Sequence, residues 1–562
     1  NDTDPNAYEK MIDALLQQPT YGERMAIPWL DVARYADSHG YQDDNYRSQW
    51  PWRDWVIYAF NKNLPYDKFI TWQLAGDLLP DPTKEQILAT GFNRNHKITE
   101  EGGVIDEEYR VEYVIDRTNT FGTAMLGMTI ACAQCHDHKY DPVSQKEFYQ
   151  LSSFFNSIKE VGLESTVGGH ETFAKNPRMD VTQEDLNGVL SFLNRSDTAG
   201  LQVSVMKDMD TARKTYILSR GVYDQRAEEV FAGTPGSIMK FADTLPKNRL
   251  GLSEWLFDPR NPLTARVFIN RVWQETFGVG IVKSAGDFGM QGDLPTNPEL
   301  LDWLAVDFRE NGWDIKRLMK QIYMSATYRQ SSVVTPEKLK ADPQNIYLSF
   351  APRIRINAEM VRDLVLSSSG LLNTTIGGPS VKPYQPPGLW ELATSGRGLL
   401  ATYKQDHGDY LYRRGMYTFI KRTVPPPSMM IFDASNRDQC EIKRSRTNTP
   451  LQALIMMNDP TVLEATKALA DNLIQQKQTA EASVTNAFMR IINRHPKKAE
   501  LDLLTNYLQE QEMYFKSHPG DIEKTLKPGE YILKSAPSPE LAAMMQTIQV
   551  MYNMDEAIDR KS

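Results

Sequence analysis

The chain has 562 residues, 41% of them hydrophobic, with 10 Trp, 25 Tyr and 21 Phe. This composition supplies packed cores and excludes a disordered protein, while the length favours two to four domains. A formal net charge of -9 at pH 7 argues against a general binder of nucleic acid or anionic membranes, because both partners select basic surfaces. No run of about 18 apolar residues occurs, so no membrane span is predicted.

Residues 1–160 are predicted to form a helical first domain. Apolar side chains recur at helical spacing over residues 8–79. A loop carrying His96 is expected next, because Gly102 and Gly103 break a helix and permit unusual backbone angles. Three consecutive carboxylates follow this loop: Asp106, Glu107 and Glu108. They either decorate the first turn of the next helix, where they suit its dipole, or serve a metal or acid/base role.

The strongest chemical signal is a C-x-x-C-H motif formed by Cys132, Cys135 and His136. This spacing is that of covalent haem attachment, in which both thiols add to haem vinyl groups and the histidine becomes the proximal iron ligand. Spacing alone also permits a chance occurrence, a disulfide or reduced pair, and a zinc site in which His136 or His138 joins the two thiolates. The third cysteine, Cys440, has no obvious partner and is expected to be a small buried hydrophobe.

A capping box formed by Ser144 and Glu147 predicts a well-anchored helix directly after the motif. Residues 161–249 are richer in Gly, Ser, Thr and Asp, and we expect an irregular connector there with a few short strands. The predicted fold class is mainly α, with two helical domains joined by this connector.

Residues 250–562 form the predicted helical C-terminal domain. Three helices are expected to begin with proline at the first helical position, each after a capping residue: Asn297-Pro298, Thr449-Pro450 and Asp459-Pro460. A proline-rich aromatic segment at residues 382–390 interrupts the helices, and its prolines predict that it is not helical.

Basic residues crowd into one short span of the C-terminal domain: Arg413, Arg414, Lys421, Arg422, Arg437, Lys443, Arg444 and Arg446. Such a cluster suits carboxylates, sulfates or haem propionates, which match the planar fork of arginine. The candidate anion- or glycan-binding residues are Arg413, Arg414, Arg422, Arg444, Arg446 and Trp390. The alternative is that these arginines pair with Asp and Glu inside the fold.

Seven stretches spread over nearly the whole chain form a distinctive set: Leu30–Asp37, Asn95–Gly103, Cys132–Pro142, Asn270–Trp273, Pro298–Trp303, Ser325–Gln330 and Arg444–Gln452. Together they resemble the planctomycete-type cytochrome c protein family, and specifically its two linked domains of unknown function. Members often carry a separate cytochrome c domain upstream, and the 562 residues do not include one. The resemblance implies export, a link to polysaccharide utilisation and a haem or metal site at the C-x-x-C-H motif. It implies no substrate and no set of catalytic residues.

We therefore expect an exported, periplasmic or cell-surface protein with a covalent c-type haem on Cys132 and Cys135 and with His136 as proximal ligand. It is expected to act in electron transfer or oxidoreduction with a redox partner protein or an upstream cytochrome domain. His96 is the preferred distal ligand, and the rival candidates are Met125, Met128, His39 and His170. Because the chain begins with Asn1 instead of Met, we expect a leader or a longer N-terminal region to be missing.

A second hypothesis is a cell-surface component that binds or processes carbohydrate and in which the cysteines are structural. Tyr384 and Trp390 would stack on sugar rings, and the arginine cluster would bind acidic or sulfated glycans. The candidate acid/base carboxylates are Glu100, Glu101 and Glu107. A third hypothesis is a structural subunit of a surface complex. Asp137, Asp141 and the loop around Glu100 also suggest a calcium site, because calcium accepts scattered oxygen ligands.

Overall fold

The computed structural model describes residues 3–42, 44–164, 173–195, 200–394 and 398–560. About 51% of the chain is helical and 5% lies in strands, which confirms the mainly α fold class. The α-helices within these ranges are α1 (Ala7–Gln17), α2 (Thr20–Val32), α3 (Trp50–Asn61), α4 (Tyr66–Ala75), α5 (Lys84–Ala89), α6 (Asp106–Phe121), α7 (Gln145–Asn156), α8 (Gln183–Asn187), α9 (Arg249–Leu256), α10 (Thr264–Phe277), α11 (Pro298–Glu310), α12 (Ile315–Met324), α13 (Ala326–Arg329), α14 (Pro336–Ala341), α15 (Ala358–Ser369), α16 (Leu389–Thr394), α17 (Pro427–Ile431), α18 (Pro450–Asn458), α19 (Pro460–Gln475), α20 (Ala480–Ile492), α21 (Lys498–Ser517), α22 (Gly520–Leu526), α23 (Pro539–Tyr552) and α24 (Asp555–Ile558).

Short strands form three antiparallel pairs. The pairs are β1 (Arg178–Asp180) with β2 (Gln202–Ser204), β3 (Thr215–Leu218) with β4 (Arg226–Val230), and β5 (Ile354–Arg355) with β6 (Asp559–Arg560). The first two pairs lie in the segment predicted to be an irregular connector with a few strands. The third pair joins the end of the described chain to the segment that precedes α15.

One hydrophobic core extends through the first half of the chain and across the predicted connector. Its centre is the tryptophan-rich helix α3, whose Trp52 and Trp55 are fully buried. Val203 of β2 and Trp255 of α9 belong to the same core, as does Tyr417. The predicted domain boundaries at 160/161 and 249/250 therefore do not separate one hydrophobic core from another.

A second core is built from the C-terminal helices. Helix α23 packs against α19 and α21, and α15 also packs on α19. Alanines along these helices, such as Ala468 and Ala543, are fully buried and allow the helices to approach closely. Burial of apolar side chains between these helices is the main stabilising contribution in this half of the chain.

A buried group of four charged side chains connects the two cores. Arg444 donates to Asp31 of α2 (Nε to Oδ2, 2.6 Å) and to Glu359 of α15 (Nη1 to Oε2, 2.7 Å). Arg437 also lies against Asp31, with 2.7 Å between Nε and Oδ1. Asp31 lies on α2, which packs in the first core, and Glu359 lies on α15, which packs in the second. The two arginines therefore hold the cores together.

Most of the local helix signals are confirmed. Asn297 caps α11 by accepting from the Leu300 amide, and Asp459 caps α19 by accepting from the Thr461 amide, whereas Thr449 makes no side-chain capping bond. The proline-rich segment is non-helical through Gly388, but its last two residues begin α16, so the prediction was wrong there. Among the described residues, no helix is both long and apolar enough to span a membrane.

Candidate functional site

The C-x-x-C-H motif lies on a short 3-10 turn between α6 and α7. The turn spans Ile130–Gln134, and it buries Ile130 and Ala133 while leaving Cys132 and Cys135 exposed as free thiols. The two apolar residues attach the turn to the core, whereas Cys132 within the turn and Cys135 directly after it are exposed. The local sequence therefore leaves both thiols accessible to solvent.

Helix α7 holds this turn in place. The carbonyl of Gln134 accepts a hydrogen bond from Gln145 Nε2 (3.0 Å) and another from the Tyr149 hydroxyl (2.8 Å). The capping box of Ser144 and Glu147 is present as predicted, and it fixes the first turn of the helix that carries both donors. The thiols thus sit on a backbone segment with a defined orientation.

The two histidines of the motif have different surroundings. His136 is exposed, and its Nδ1 lies 2.7 Å from the carbonyl oxygen of Asp137. Because a carbonyl only accepts, Nδ1 carries the proton and the Nε2 lone pair is left to serve as a metal ligand. His138 accepts the Asp141 amide at Nδ1 (2.8 Å), and the carboxylate of Asp141 accepts the Met290 amide (2.6 Å). His138 and Asp141 therefore stabilise the loop.

Within the ranges that the structure describes, no group of three or more His, Cys, Asp or Glu side chains is arranged to hold a metal ion. Cys132, Cys135 and His136 therefore do not form such a group. The carboxylates considered for calcium, Asp137, Asp141 and Glu100, form no such group either. Asp137 accepts the Gln145 amide at 2.8 Å, and Glu100 forms an ion pair with Lys175.

Two family models match the chain. Residues 1–160 match PSCyt2, described as a protein of unknown function (DUF1549), and residues 248–508 match PSD1, described as a protein of unknown function (DUF1553). The chain carries a DUF1549 domain followed by a DUF1553 domain. This pair is typical of planctomycete-type proteins. Searches of curated proteins and of solved structures gave no match.

His96 of the DUF1549 domain is buried, and both of its ring nitrogens are occupied. Nδ1 donates to the Lys97 carbonyl at 2.8 Å, so Nε2 is the acceptor for Arg117 Nη2, also at 2.8 Å. Burial, reinforced by the Arg117 and Arg94 cations, lowers the pKa of His96 well below its usual range. The ring also stacks on Tyr113. His96 therefore lies in an internal network, apart from the exposed thiols.

The other predicted distal ligands are also placed away from the surface or outside the described ranges. Met125 and Met128, which follow α6 in the chain, are buried in the first hydrophobic core. His39 is buried, and burial followed by the charge of Arg47 lowers its pKa well below its usual range. His170 lies outside the residues that the structure describes. The described candidates for the distal position are thus buried, whereas the motif thiols are exposed.

The carboxylates of the DUF1549 loop are occupied by neighbouring groups. Asp106, Glu107 and Glu108 form the first turn of α6, as the structural alternative predicted. Glu107 accepts from Arg110 (Nε to Oε2, 2.7 Å), and Glu101 accepts the Gln42 amide (2.6 Å). These contacts give Glu107 and Glu101 a role in holding the loop.

The arginine cluster of the DUF1553 domain is directed into the fold. Arg422 is buried and donates to the main-chain carbonyls of Arg34, Ser38, His39, Asn95 and Arg437. Arg413 donates to the Gly377 carbonyl (2.6 Å), and Arg414 lies against Glu23 (3.1 Å). Arg444 forms the ion pairs between the cores. Arg446 alone of the five predicted residues is exposed, and it donates to the Gly278 carbonyl (3.0 Å).

Trp390 is also an interior residue, with 1% of its surface exposed. Its ring meets Tyr403 edge-on, with centroids 4.9 Å apart, and the Lys421 ammonium lies 4.7 Å from the ring centre. The predicted stacking face is therefore covered by the protein itself. Tyr384, the other predicted stacking residue, is half-buried, and its hydroxyl accepts the Glu530 amide (2.9 Å) at the surface.

Sequence reasoning missed the residues that support the motif from a distance. Gly221, in the turn between β3 and β4, approaches Cys135 so closely that an added Cβ would lie 3.1 Å from the sulfur. Tyr149 and Gln145 were part of a predicted helix, but nothing in their spacing assigned them to the Gln134 carbonyl. A contact between residues so far apart along the chain as 135 and 221 carries no local sequence signal.

Proposed function

We propose that residues 132–136 attach a c-type haem covalently through Cys132 and Cys135, with His136 as the proximal iron ligand. When bound, haem supplies one-electron redox chemistry, so the protein would act in electron transfer or oxidoreduction. Attachment of this kind takes place outside the cytoplasm, and the proposal therefore includes export to the periplasm or cell surface and a redox partner.

The observation that carries the proposal is the arrangement of the three groups. Both thiols are free and exposed, His136 next to them is exposed too, and among the described residues they are not part of a group of three or more ligands that could hold a metal ion. A structural zinc site requires four ligands around one ion, whereas in a c-type site the thiols bond to the edge of the porphyrin and only the histidine reaches the iron. Free, exposed thiols next to an exposed histidine, without a fourth ligand among the described residues, favour haem over zinc.

The chain's own residues prepare His136 for this role. The Asp137 carbonyl fixes the tautomer of the ring by accepting from Nδ1, which leaves Nε2 as the ligand atom. Tyr149 and Gln145 hold the Gln134 carbonyl and so set the direction of the adjacent Cys135. The described candidates for a second iron ligand, His39, His96, Met125 and Met128, are all buried.

The test is an absorption spectrum of the full protein purified from its native host, followed by a denaturing gel stained for covalent haem. A Soret band that stays with the polypeptide through denaturation supports the proposal. Replacing Cys132 and Cys135 with Ala should abolish the stained band, and Cys440→Ala, the matched control, should leave it unchanged. A colourless native protein would refute the proposal, and a screen against acidic and sulfated glycans would then test the carbohydrate alternative.

A further inference from the structure

A small apolar pocket lies between helices α2, α3, α10 and α12, in the first hydrophobic core. Its walls include Trp29, Phe60, Phe268, Val272 and Met319, each buried. Its volume is about 90 Å³. The pocket is separate from the thiol motif, so an inference about it does not depend on the proposed haem site.

A buried arginine lines this otherwise apolar pocket. Arg271 of α10 is 6% exposed, and it belongs to the Asn270–Trp273 stretch that the proposed function leaves unexplained. Its Nη2 donates to the Ala124 carbonyl at 2.8 Å, but its Nε and Nη1 have no hydrogen-bond partner. Its guanidinium carbon lies 5.5 Å from the centre of the Trp29 ring.

The charge of Arg271 is also unbalanced. None of the described carboxylates forms an ion pair with it, whereas Arg117 is paired with Glu160 and Arg249 with Asp77. A buried cation without a counter-ion and with unsatisfied donors is strongly unfavourable, and native proteins rarely retain one without an anion to meet it. The side chain is therefore suited to an anion that enters the pocket.

Two further arginines line the pocket and add to its positive charge. Arg24 pairs with Glu275 at 3.3 Å, and Arg560 donates to the Thr276 carbonyl without a carboxylate of its own among the described residues. Three arginines against one glutamate leave a net positive pocket with an apolar interior. Charge and wall chemistry together select an anion that also has an apolar part.

We infer that this pocket binds a short aliphatic carboxylate, with the carboxylate on Arg271 and the apolar tail against Trp29, Phe268 and Met319. The size supports a short tail, because an engineered cavity of about 150 Å³ holds a benzene molecule and this one is smaller. A singly charged carboxylate loses less hydration than sulfate or phosphate on entering apolar walls. Arginine donors satisfy it directly.

The test uses sodium butanoate as the probe and the full chain as the protein, with calorimetric titration and thermal melting at constant ionic strength. Butanoate should bind with one site per chain and raise the melting temperature. Butyramide, which has the same shape without the charge, should bind at least about tenfold more weakly, as expected for loss of one charged hydrogen bond. Sodium sulfate, which has charge without a tail, should also bind at least about tenfold more weakly, because it buries no apolar surface and loses more hydration.

Two variants of the pocket separate binding from folding. Arg271→Met should weaken butanoate binding at least about tenfold, and the unliganded melting temperature should change little, because removal of two unsatisfied buried donors offsets loss of the bond to the Ala124 carbonyl. Val272→Phe should exclude butanoate by filling the pocket with Arg271 intact. Arg266→Gln is the matched control, since Arg266 lies on the same helix but pairs with Asp302 outside the pocket, and its binding should be unchanged.

Several results would overturn the inference. They are equal binding of butanoate and butyramide, equal binding of butanoate and sulfate, undiminished binding by Arg271→Met, or no binding of any probe to a folded wild-type chain. Since these titrations need no haem, a colourless protein that binds butanoate would refute the proposed function and leave the pocket standing.

Discussion

The charged group between the two cores gives a prediction whose size and pH dependence both follow from the structure. Glu359 is 3% exposed and accepts from Arg444 at 2.7 and 2.8 Å. Burial on its own raises the pKa of this carboxyl, but the charges of Arg444 and Arg437 outweigh burial and lower the pKa from 4.5 to about 2. The folded state therefore strongly prefers ionised Glu359.

This shift translates into a stability contribution of about 3 kcal/mol at pH 7, at about 1.4 kcal/mol per unit of pKa. Because the folded pKa lies below the unfolded one, the contribution is fully present above the unfolded pKa of 4.5 and is lost as the pH falls through the folded pKa of about 2. It should be only about 1 kcal/mol at pH 3. Glu359→Gln removes the charge and leaves two buried arginines facing Asp31 alone, a loss of comparable size.

The assay is urea unfolding of wild type and Glu359→Gln at pH 7 and pH 3, followed by near-UV circular dichroism. The variant should lose about 3 kcal/mol at pH 7 and much less at pH 3. Glu254→Gln is the control, since Glu254 is exposed on α9, and it should change stability by under about 0.5 kcal/mol at both values. A deficit for Glu359→Gln that is below about 1 kcal/mol at pH 7, or that is equal at both pH values, would refute this reasoning.

Three further predictions concern the DUF1549 domain and the cysteines. In haem-free folded protein, iodoacetamide at pH 8 should label the two exposed motif thiols and spare Cys440, because burial raises the pKa of Cys440 to about 11. Mass spectrometry that finds Cys440 labelled first would contradict this. Ser144→Ala should cost about 1 kcal/mol in urea unfolding by removing a cap of α7, and Ser144→Asp should recover most of it. Glu160→Gln should cost about 3–5 kcal/mol in the same assay, because Arg94 and Arg117 would be left buried without a counter-ion; a loss under about 1 kcal/mol would contradict it.

The features that depend on nearby residues were predictable from the sequence. The capping box before α7 and the prolines that begin α11 and α19 are local signals, because a cap is formed within four residues. The mainly α class follows from apolar periodicity for the same reason. The start of α16 at Leu389 was missed because the influence of the nearby prolines was extended two residues too far.

The partners of buried charges were not predictable in the same way. The sequence left open whether the arginines between 413 and 446 bind an outside anion or pair inside the fold. Arg422 and Arg444 pair inside because residues some 400 positions earlier supply their carbonyls and carboxylates. Residue type indicates that such a side chain needs a partner, but tertiary packing decides which one. Exposure of the motif thiols likewise depends on how Ile130 and Ala133 pack.

Several described residues between 376 and 446 contact the interior of the DUF1549 domain. Arg53 of α3 donates to the Gly378 carbonyl, the carboxylate of Asp37 accepts the Ile420 amide at 2.9 Å, and Arg422 binds the Asn95 carbonyl beside His96. Tyr417 is a member of the same hydrophobic core. Without these residues, the Asn95 carbonyl and the Asp37 carboxylate would lose these partners in a dry interior.

A fragment of residues 1–160 should therefore fail to fold by itself, although a family model matches it as a unit. We expect low soluble yield, weak near-UV circular dichroism and no cooperative melting, and co-expression with residues 161–562 should restore a folded complex. The matched comparison is the fragment of residues 357–560, which contains the second core and should melt cooperatively, though destabilised by the loss of Asp31 beside Arg444. Cooperative melting of residues 1–160 alone would show that the arginine segment is an accessory to the DUF1549 fold. Failure of that fragment, with rescue by the remainder, would make the two family modules one folding unit whose exposed thiol motif depends on the distant arginines for its scaffold.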